Sequence, residues 1–422
     1  MIIFIINAIK IIFLLGFLIL IHEGGHFLAA KLCKVKVNEF SIGFGPNILT
    51  KKGKETVYSL RLIPLGGFVN MLGEEERSEE EGSFSKISIP KRVFIVLAGG
   101  ITNIVFGLII YFVLVSFSTN HVSTIVEKTI PEYGNNISLI QPDDEIIKIN
   151  NKKIKLKTDI DEVLEKSNGE ELNLEIKREN KIENINITPV EKKEKSTGIY
   201  LSTASSEEKQ TQIVKIDEGS NAQKQGLLLN DIILKIDGEE VQGNIQKVRE
   251  LIAKESKENI IFLVDRNNEE IEIEVTPEYI PIYYLGLQFK VAENNFGNNV
   301  YYGFWDTIDF SFSIIDNLKM LFTGNVGVDQ MMGPVGISNE ISRTDNVKEF
   351  ITLLALVSLS LGVTNLIPFP PLDGGKVLIF LIEAIKRKPL DQKIENSIQL
   401  AGFILLILLS IYITYNDILR IF

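Results

Sequence analysis

The sequence has a single cysteine, Cys33, in 422 residues. An intrachain disulfide and a cysteine-built zinc cluster are therefore both excluded. Histidine is almost as scarce, with three copies at positions 22, 26 and 121. Basic residues are in deficit: 44 Lys+Arg stand against 55 Asp+Glu, a net charge of −11. Residues 119–300 hold 23 basic and 34 acidic side chains, so that block alone carries the excess. So acidic a block argues against a nucleic-acid partner. Elsewhere charge is nearly absent over long stretches. Apolar residues make up 45% of the chain and are gathered in blocks, which a soluble protein would not do.

Residues 2–21 are apolar except for Asn7 and Lys10, long enough to span a bilayer. No basic residue precedes the run, and cleavage after Ala29 or Ala30 would discard both nearby histidines. The reading is an uncleaved first span rather than a signal peptide. Val93–Phe117, Ile351–Leu366 and Ile398–Tyr415 are three further spans. Lys31, Lys34 and Lys36 follow the first span, and Lys91 and Arg92 precede the second. By the positive-inside rule, residues 31–92 face the cytoplasm, as does the loop with Lys386, Arg387 and Lys388. Residues 119–280 then lie on the outer side. Within the second span, Ala98-Gly99-Gly100 offers small residues for close helix approach, and Asn103 is expected to hydrogen-bond across helices.

Val35–Gly45 and Thr56–Met71 alternate apolar and polar residues around the turn Lys51-Lys52-Gly53-Lys54, which is β-hairpin patterning. Phe40, Ile42, Phe44, Leu60 and Leu62 form a face that either dips into the membrane interface or packs within the hairpin. Glu74–Glu81 is an acidic loop. Residues 119–280 hold a repeat: Asp144-Glu145-Ile146-Ile147-Lys148-Ile149 parallels Asp231-Ile232-Ile233-Leu234-Lys235-Ile236, 87 positions on. Two compact β-rich domains, 119–198 and 199–280, fit this spacing. Residues 281–350 read as an amphipathic segment on the membrane surface, because Asp306, Asp309, Asp316 and Lys319 interrupt the aromatics of 301–322.

The chemistry gathers at His22-Glu23-Gly24-Gly25-His26. Residues four apart share a helix face, so His22 and His26 can offer two imidazoles to one ion, with Glu23 placed to take a proton from water. The alternative, an accidental match, leaves three polar side chains at membrane depth without a use, which is costly. His121 falls beyond the second span on the outer side, away from a site near the inner side. A carboxylate should therefore complete the set. Asp373 is the candidate: the third span breaks at Asn365-Leu366-Ile367-Pro368-Phe369-Pro370-Pro371-Leu372-Asp373-Gly374-Gly375, and apolar sequence resumes at Val377. Prolines end the helix, and irregular backbone at this depth is tolerated only where protein or a wet cavity covers it. Spans one and three both run inward, which brings Asp373 to the depth of the histidines. Two histidines, one carboxylate and an open position match a hydrolytic zinc site.

Histidine-glutamate-x-x-histidine in the first span, with Asn-x-x-Pro-x-Pro-x-Leu-Asp-Gly in a later one, resembles the site-2 protease family of intramembrane zinc metalloproteases. Gly43-Phe44-Gly45-Pro46, Ala98-Gly99 and Gly333-Pro334-Val335-Gly336-Ile337 resemble its bacterial branch, the regulator of sigma-E protease type. Gly226-Leu227-Leu228-Leu229-Asn230-Asp231-Ile232-Ile233-Leu234 resembles PDZ domains, which add a peptide to a sheet edge. The chain departs from the branch at Gly100 and Gly24, neither of them a ligand. The first repeat departs from the PDZ pattern at Asn136-Ile137-Ser138-Leu139. The resemblance implies a polytopic α-helical membrane protein of four transmembrane helices, with a membrane-associated β-hairpin region and two PDZ-like domains, in the bacterial inner membrane. The implied organisation is 1–118 (two spans, zinc motif and hairpin), 119–198 and 199–280 (PDZ-like), 281–350 (surface segment) and 351–422 (two spans with the Leu-Asp-Gly motif). It implies zinc bound by His22, His26 and Asp373, and Glu23 as general base. Asn365, Pro368 and Pro370 would lie at the substrate, held as an added strand by the hairpin. Substrates would be single-span proteins already shortened by another protease, such as anti-sigma factors, or leftover signal peptides. The PDZ-like pair would filter bulky substrates and could bind peptides. A membrane-anchored PDZ scaffold with a vestigial metal site is the competing reading, and an open fourth ligand position argues against it. A metal transporter would need a second polar path, which four spans with a single ion site do not supply.

Overall fold

A computed structural model of the chain describes residues 2–74, 76–117, 121–133, 139–201, 211–254, 258–266, 269–323, 332–342, 344 and 346–421. It divides into two compact units, 1–118 with 299–419, and 119–298 with 420–422.

The first unit begins with α1 (Ile2–Leu32). The helix ends where Lys34 turns left-handed (φ 61°) and Val35 N–H returns to the Ala30 carbonyl, which buries Val35. Two long strands follow, β1 (Val37–Lys52) and β2 (Val57–Met71). They form more than the hairpin the alternation predicts. Residues 39–42 sit between 67–70 on one side and 57–60 on the other, and 49–52 pair with the far side of 57–60. Each strand bends at glycines in left-handed conformation, Gly43 and Gly45 in one and Gly66 in the other. The outer segments of this small sheet are therefore 67–71 and 49–52. Phe44, Ile48, Leu49 and Leu62 are all exposed. Val37, Val69 and Met71 are buried against Ala29, Ala30, Ile95 and Val96, which docks one end of the sheet on the helices. Then comes α2 (Ile89–Ser116), with proline in its first turn. α2 approaches α1 closely: a Cβ on Gly25 would fall 2.5 Å from the Ala98 carbonyl oxygen.

The second unit holds β3 (Val122–Thr129), β4 (Glu145–Ile149), β5 (Lys152–Lys153), α3 (Lys157–Ser167), β6 (Leu172–Arg178), β7 (Lys181–Ile187) and β8 (Val190–Ser196). Then follow β9 (Ile199–Leu201), β10 (Ile213–Ile216), α4 (Asn221–Lys224), β11 (Ile232–Ile236), β12 (Glu239–Glu240), α5 (Ile245–Ala253), β13 (Ile260–Arg266), β14 (Glu269–Val275), β15 (Glu278–Tyr284) and β16 (Leu287–Val291). The repeat extends well beyond the matched segment. Val126, Ile146, Ile149 and Ile154 in one core correspond to Ile213, Ile233, Ile236 and Val241 in the other at a spacing of 87. After one extra residue in the second copy, Ile160, Leu174, Ile176 and Ile187 correspond to Val248, Phe262, Val264 and Val275 at 88. Each core keeps the same internal ion pair. Arg178 grips buried Asp144 at 2.7–2.8 Å, and Arg266 grips buried Asp231 at 2.7 Å. Of the first copy's departure, Asn136-Ile137-Ser138 lie outside the described residues.

The boundary expected at residue 280 is displaced. β16 pairs with β3 and so completes the first copy's sheet, in the order β16-β3-β4-β6-β7, while β15 pairs with β8. Residues 281–284 and 287–291 are thus strand, and the β-rich unit continues to 298. In the second copy, β9 pairs with β10 as β16 pairs with β3. The preceding glycines match too: the Gly198 carbonyl accepts from Asp217 N–H, and the Gly286 carbonyl from Ile130 N–H. The second copy is inserted ahead of the strand that finishes the first.

The first unit then resumes with α6 (Phe296–Thr323), α7 (Pro334–Ser342), α8 (Val347–Leu366), α9 (Asp373–Lys386) and α10 (Gln392–Ile421). Among the described residues, α1, α2, α8 and α10 are long and apolar enough to cross a membrane, which matches the four expected spans. α6 rests on α2, with Tyr111 and Phe310 stacked at 4.1 Å. At the head of α7, the Gly333 and Gly336 amides donate to buried Asp417 at 3.0 and 2.8 Å. Gly100 and Gly362 meet across α2 and α8, where a Cβ on either would come within 2.9 Å of the other's carbonyl oxygen. Glycine at position 100 is thereby explained. Asn103 is buried at this interface, but its carbonyl makes the interhelical bond, accepting from Ser358 Oγ at 2.8 Å; its side-chain amide takes no part.

Candidate metal centre

His22 and His26 occupy adjacent turns of α1, and Asp373 opens α9 just beyond the proline break. The sequence separates these groups by about 350 positions, and the fold brings them together. His22 Nε2 and His26 Nε2 are 3.2 Å apart, and Asp373 Oδ2 lies 3.2 Å from the first and 3.3 Å from the second. The three atoms form a nearly equilateral triangle. A tetrahedral ion with bonds of about 2.0–2.1 Å sets its donor atoms about 3.3 Å apart, so the donor set fits zinc and leaves one position open. The His22, His26 and Asp373 side chains are 12%, 12% and 17% exposed, screened from bulk water without being sealed.

The supports of this triangle come from α2. His26 Nδ1–H donates to the Ile95 carbonyl at 2.9 Å, which leaves Nε2 free to coordinate. Gly99 faces both rings: a Cβ there would sit 2.4 Å from His26 Nε2 and 2.8 Å from His22 Cε1. Gly99→Ala should therefore push the imidazoles off the triangle. Misdirected ligands typically lose about 10–100-fold in metal affinity, and zinc titration of the purified variant would measure the loss; wild-type affinity would show that α2 yields at this point.

A cavity of ≈ 380 Å³ opens beside the triangle. Glu23 lines it together with His22, His26 and Asp373. The edge segment of the small sheet forms one wall through Phe68, Val69 and Met71. Gly67 approaches Glu23 closely, since a Cβ there would lie 3.4 Å from Glu23 Cγ. Asn365, Pro368 and Pro370 are not among the lining residues. Asn365 is half-buried at the end of α8, Pro368 is exposed, and Pro370 is packed under Gly402 of α10. His121 lies in the β-rich unit, where its carbonyl accepts from Ala292 N–H.

Several lining residues went unrecognised in the sequence. Glu74, Arg77 and Lys376 line the cavity, as do Gln392, Glu395, Asn396 and Gln399 of α10. Lys376 Nζ pairs with Glu74 at 2.8 Å. Arg77 binds the Leu390 carbonyl at 2.6 Å and Glu383 at 3.2 Å, and Arg92 reaches the same buried Glu383 at 2.9 Å. The polar spacing 392, 395, 396, 399 was the available signal, but it stands at the head of an apolar run, where polar residues usually meet the interface.

The sequence profile of Peptidase family M50 matches residues 10–409. The chain is 28% identical to the regulator of sigma-W protease RasP of Bacillus subtilis, covering 99% of this chain and all of the relative. It is 27% identical to the regulator of sigma E protease of Haemophilus influenzae, over 96% of each chain, and 27% identical to the zinc metalloprotease RasP of Oceanobacillus iheyensis, over 99% of each. A match that runs through both the histidine motif and Asp373 and nearly the whole length leaves one assignment: the chain belongs to Peptidase family M50, the site-2 protease family of zinc metalloproteases.

Proposed function

We propose that this chain hydrolyses peptide bonds within or next to the transmembrane segment of single-span membrane proteins, at a zinc ion held by His22, His26 and Asp373. The observation that carries the reading is the triangle of donor atoms beside Glu23 in a cavity walled by a sheet edge. When bound, zinc supplies Lewis-acid polarisation of the scissile carbonyl and makes water reactive near neutral pH. Glu23 takes the proton of the attacking water and returns it to the leaving amine. A helical substrate has its backbone groups paired and must unwind first. Segment 67–71, at the edge of its sheet, offers replacement hydrogen bonds to the opened stretch. Asn365, Pro368 and Pro370 are substrate-side positions at the broken helix, outside the cavity itself.

The substrate class is an anti-sigma factor-like protein already shortened by another protease, or a remnant signal peptide. The relatives named as regulators of sigma E and sigma-W proteases support it. The setting is the bacterial cytoplasmic membrane, with α1, α2, α8 and α10 in the bilayer and the β-rich unit on the outer side. Its two nested copies act as PDZ-like domains that exclude bulky substrates and take up peptide ends; the repeated strand pairing after Gly198 and Gly286 supports the likeness. The full-length chain in detergent should cleave a single-span reporter, lose that activity to a zinc chelator and regain it on adding zinc. Binding of single-span proteins without cleavage, with zinc supplied, would favour the scaffold reading.

A further inference from the structure

α10 turns Gln392, Glu395, Asn396 and Gln399 toward the metal-site cavity, the spacing of a single helix face. Gln399 differs from the two charged donors on the cavity wall, Lys376 and Arg77. Lys376 is engaged by Glu74, and Arg77 by Glu383 and the Leu390 carbonyl. The Gln399 side-chain nitrogen, Nε2, is buried and has no hydrogen-bond partner. A buried donor left unpaired costs free energy, so its place calls for a reason. Its height along the cavity is also fixed. One turn further on, a Cβ at Gly402 would lie 2.0 Å from the Pro370 carbonyl oxygen, so α10 is pressed against the same break that presents Asp373.

We propose that Gln399 is a catalytic residue whose Nε2–H donates to the carbonyl oxygen of the scissile peptide as negative charge develops there. The proposal rests on the protease reading above. In the step, the water oxygen bonds to the carbonyl carbon and its proton passes to Glu23. The carbonyl π pair moves onto the oxygen that faces Gln399. When the carbonyl reforms, the C–N bond breaks and Glu23 delivers the proton to the amine. A donor fixed in advance, in a site shielded from water, favours the charged state over the neutral ground state. A neutral amide provides this without placing another charge at membrane depth.

The test uses full-length, zinc-loaded protein in detergent and a single-span reporter. Gln399→Leu should lower kcat by about 10²–10³-fold, the loss expected for removing one such donor, with KM changed less than about threefold. Gln399→Asn, one methylene shorter, should fall between. Zinc content should stay at the wild-type level. In a Glu23→Gln background, Gln399→Leu should capture the uncleaved reporter as well as Glu23→Gln alone. A kcat within about threefold of wild type would overturn the proposal. A loss confined to KM would make Gln399 a ground-state binding contact, and a loss of zinc would make it a support of the ligands; either result also overturns it. Failure of the wild-type protein to cleave any single-span reporter would instead sink the protease reading, and this inference with it.

Discussion

Glu23→Gln should abolish cleavage of a single-span reporter and leave bound zinc unchanged. Glutamine keeps the length and shape of the side chain but cannot accept a proton from water. A positioned general base contributes about 10²–10⁴ in rate, and this one serves both the attack and the departure of the amine, so the upper end applies. The isosteric exchange also keeps the side-chain volume beside Gly67, at the edge of the small sheet. Turnover and elemental analysis on one preparation check the result. Normal turnover would remove Glu23 from the chemistry, and missing zinc would make it a prop of the metal ligands.

Asp373→Ala should give the opposite separation, losing the metal itself. Its Oδ2 is the third vertex of the triangle, 3.2 and 3.3 Å from the two imidazole nitrogens. Without it, two histidines on one helix remain. Loss of an outer-shell partner alone costs about 10–100-fold in metal affinity, so loss of a ligand should exceed 100-fold. Turnover should fall in parallel, because polarisation of the carbonyl disappears with the ion. Wild-type zinc content in this variant would take Asp373 out of the site. Together the two variants separate a residue that handles protons from one that holds the ion.

His22, Glu23 and His26 were legible because spacing along a helix is a local property: four residues return a side chain to the same face. Asp373 was legible for a different reason. A carboxylate between a proline break and renewed apolar sequence needs a partner at its own depth, and span directions pointed to the histidines. Gln399 was hidden because the expected fourth span, Ile398–Tyr415, contained it as an isolated polar residue, whereas α10 starts at Gln392 and joins it to a polar face on the cavity. The strands near residues 35–71 were visible by alternation, but their register was not. Alternation says which side a residue faces and nothing about which neighbour it pairs with, and the bends at Gly43, Gly45 and Gly66 double the ladder. The boundary expected at 280 failed on the same ground: β16 is claimed by a strand more than 150 residues earlier.

By itself the sequence determined the four spans, the duplicated β-rich block and the residue types of the candidate metal set. Each of these follows from composition or from spacing along one element, where hydropathy and helical or repeat periods act over short range. Tertiary structure alone decided the donor-atom spacing of the triangle that Asp373 makes with the histidines, that an edge strand and one face of α10 wall the cavity, and that one β-rich copy is inserted within the other. Those outcomes depend on packing between elements far apart in the chain, where glycines at 25, 99, 100, 362 and 402 set how closely backbones and ligands approach.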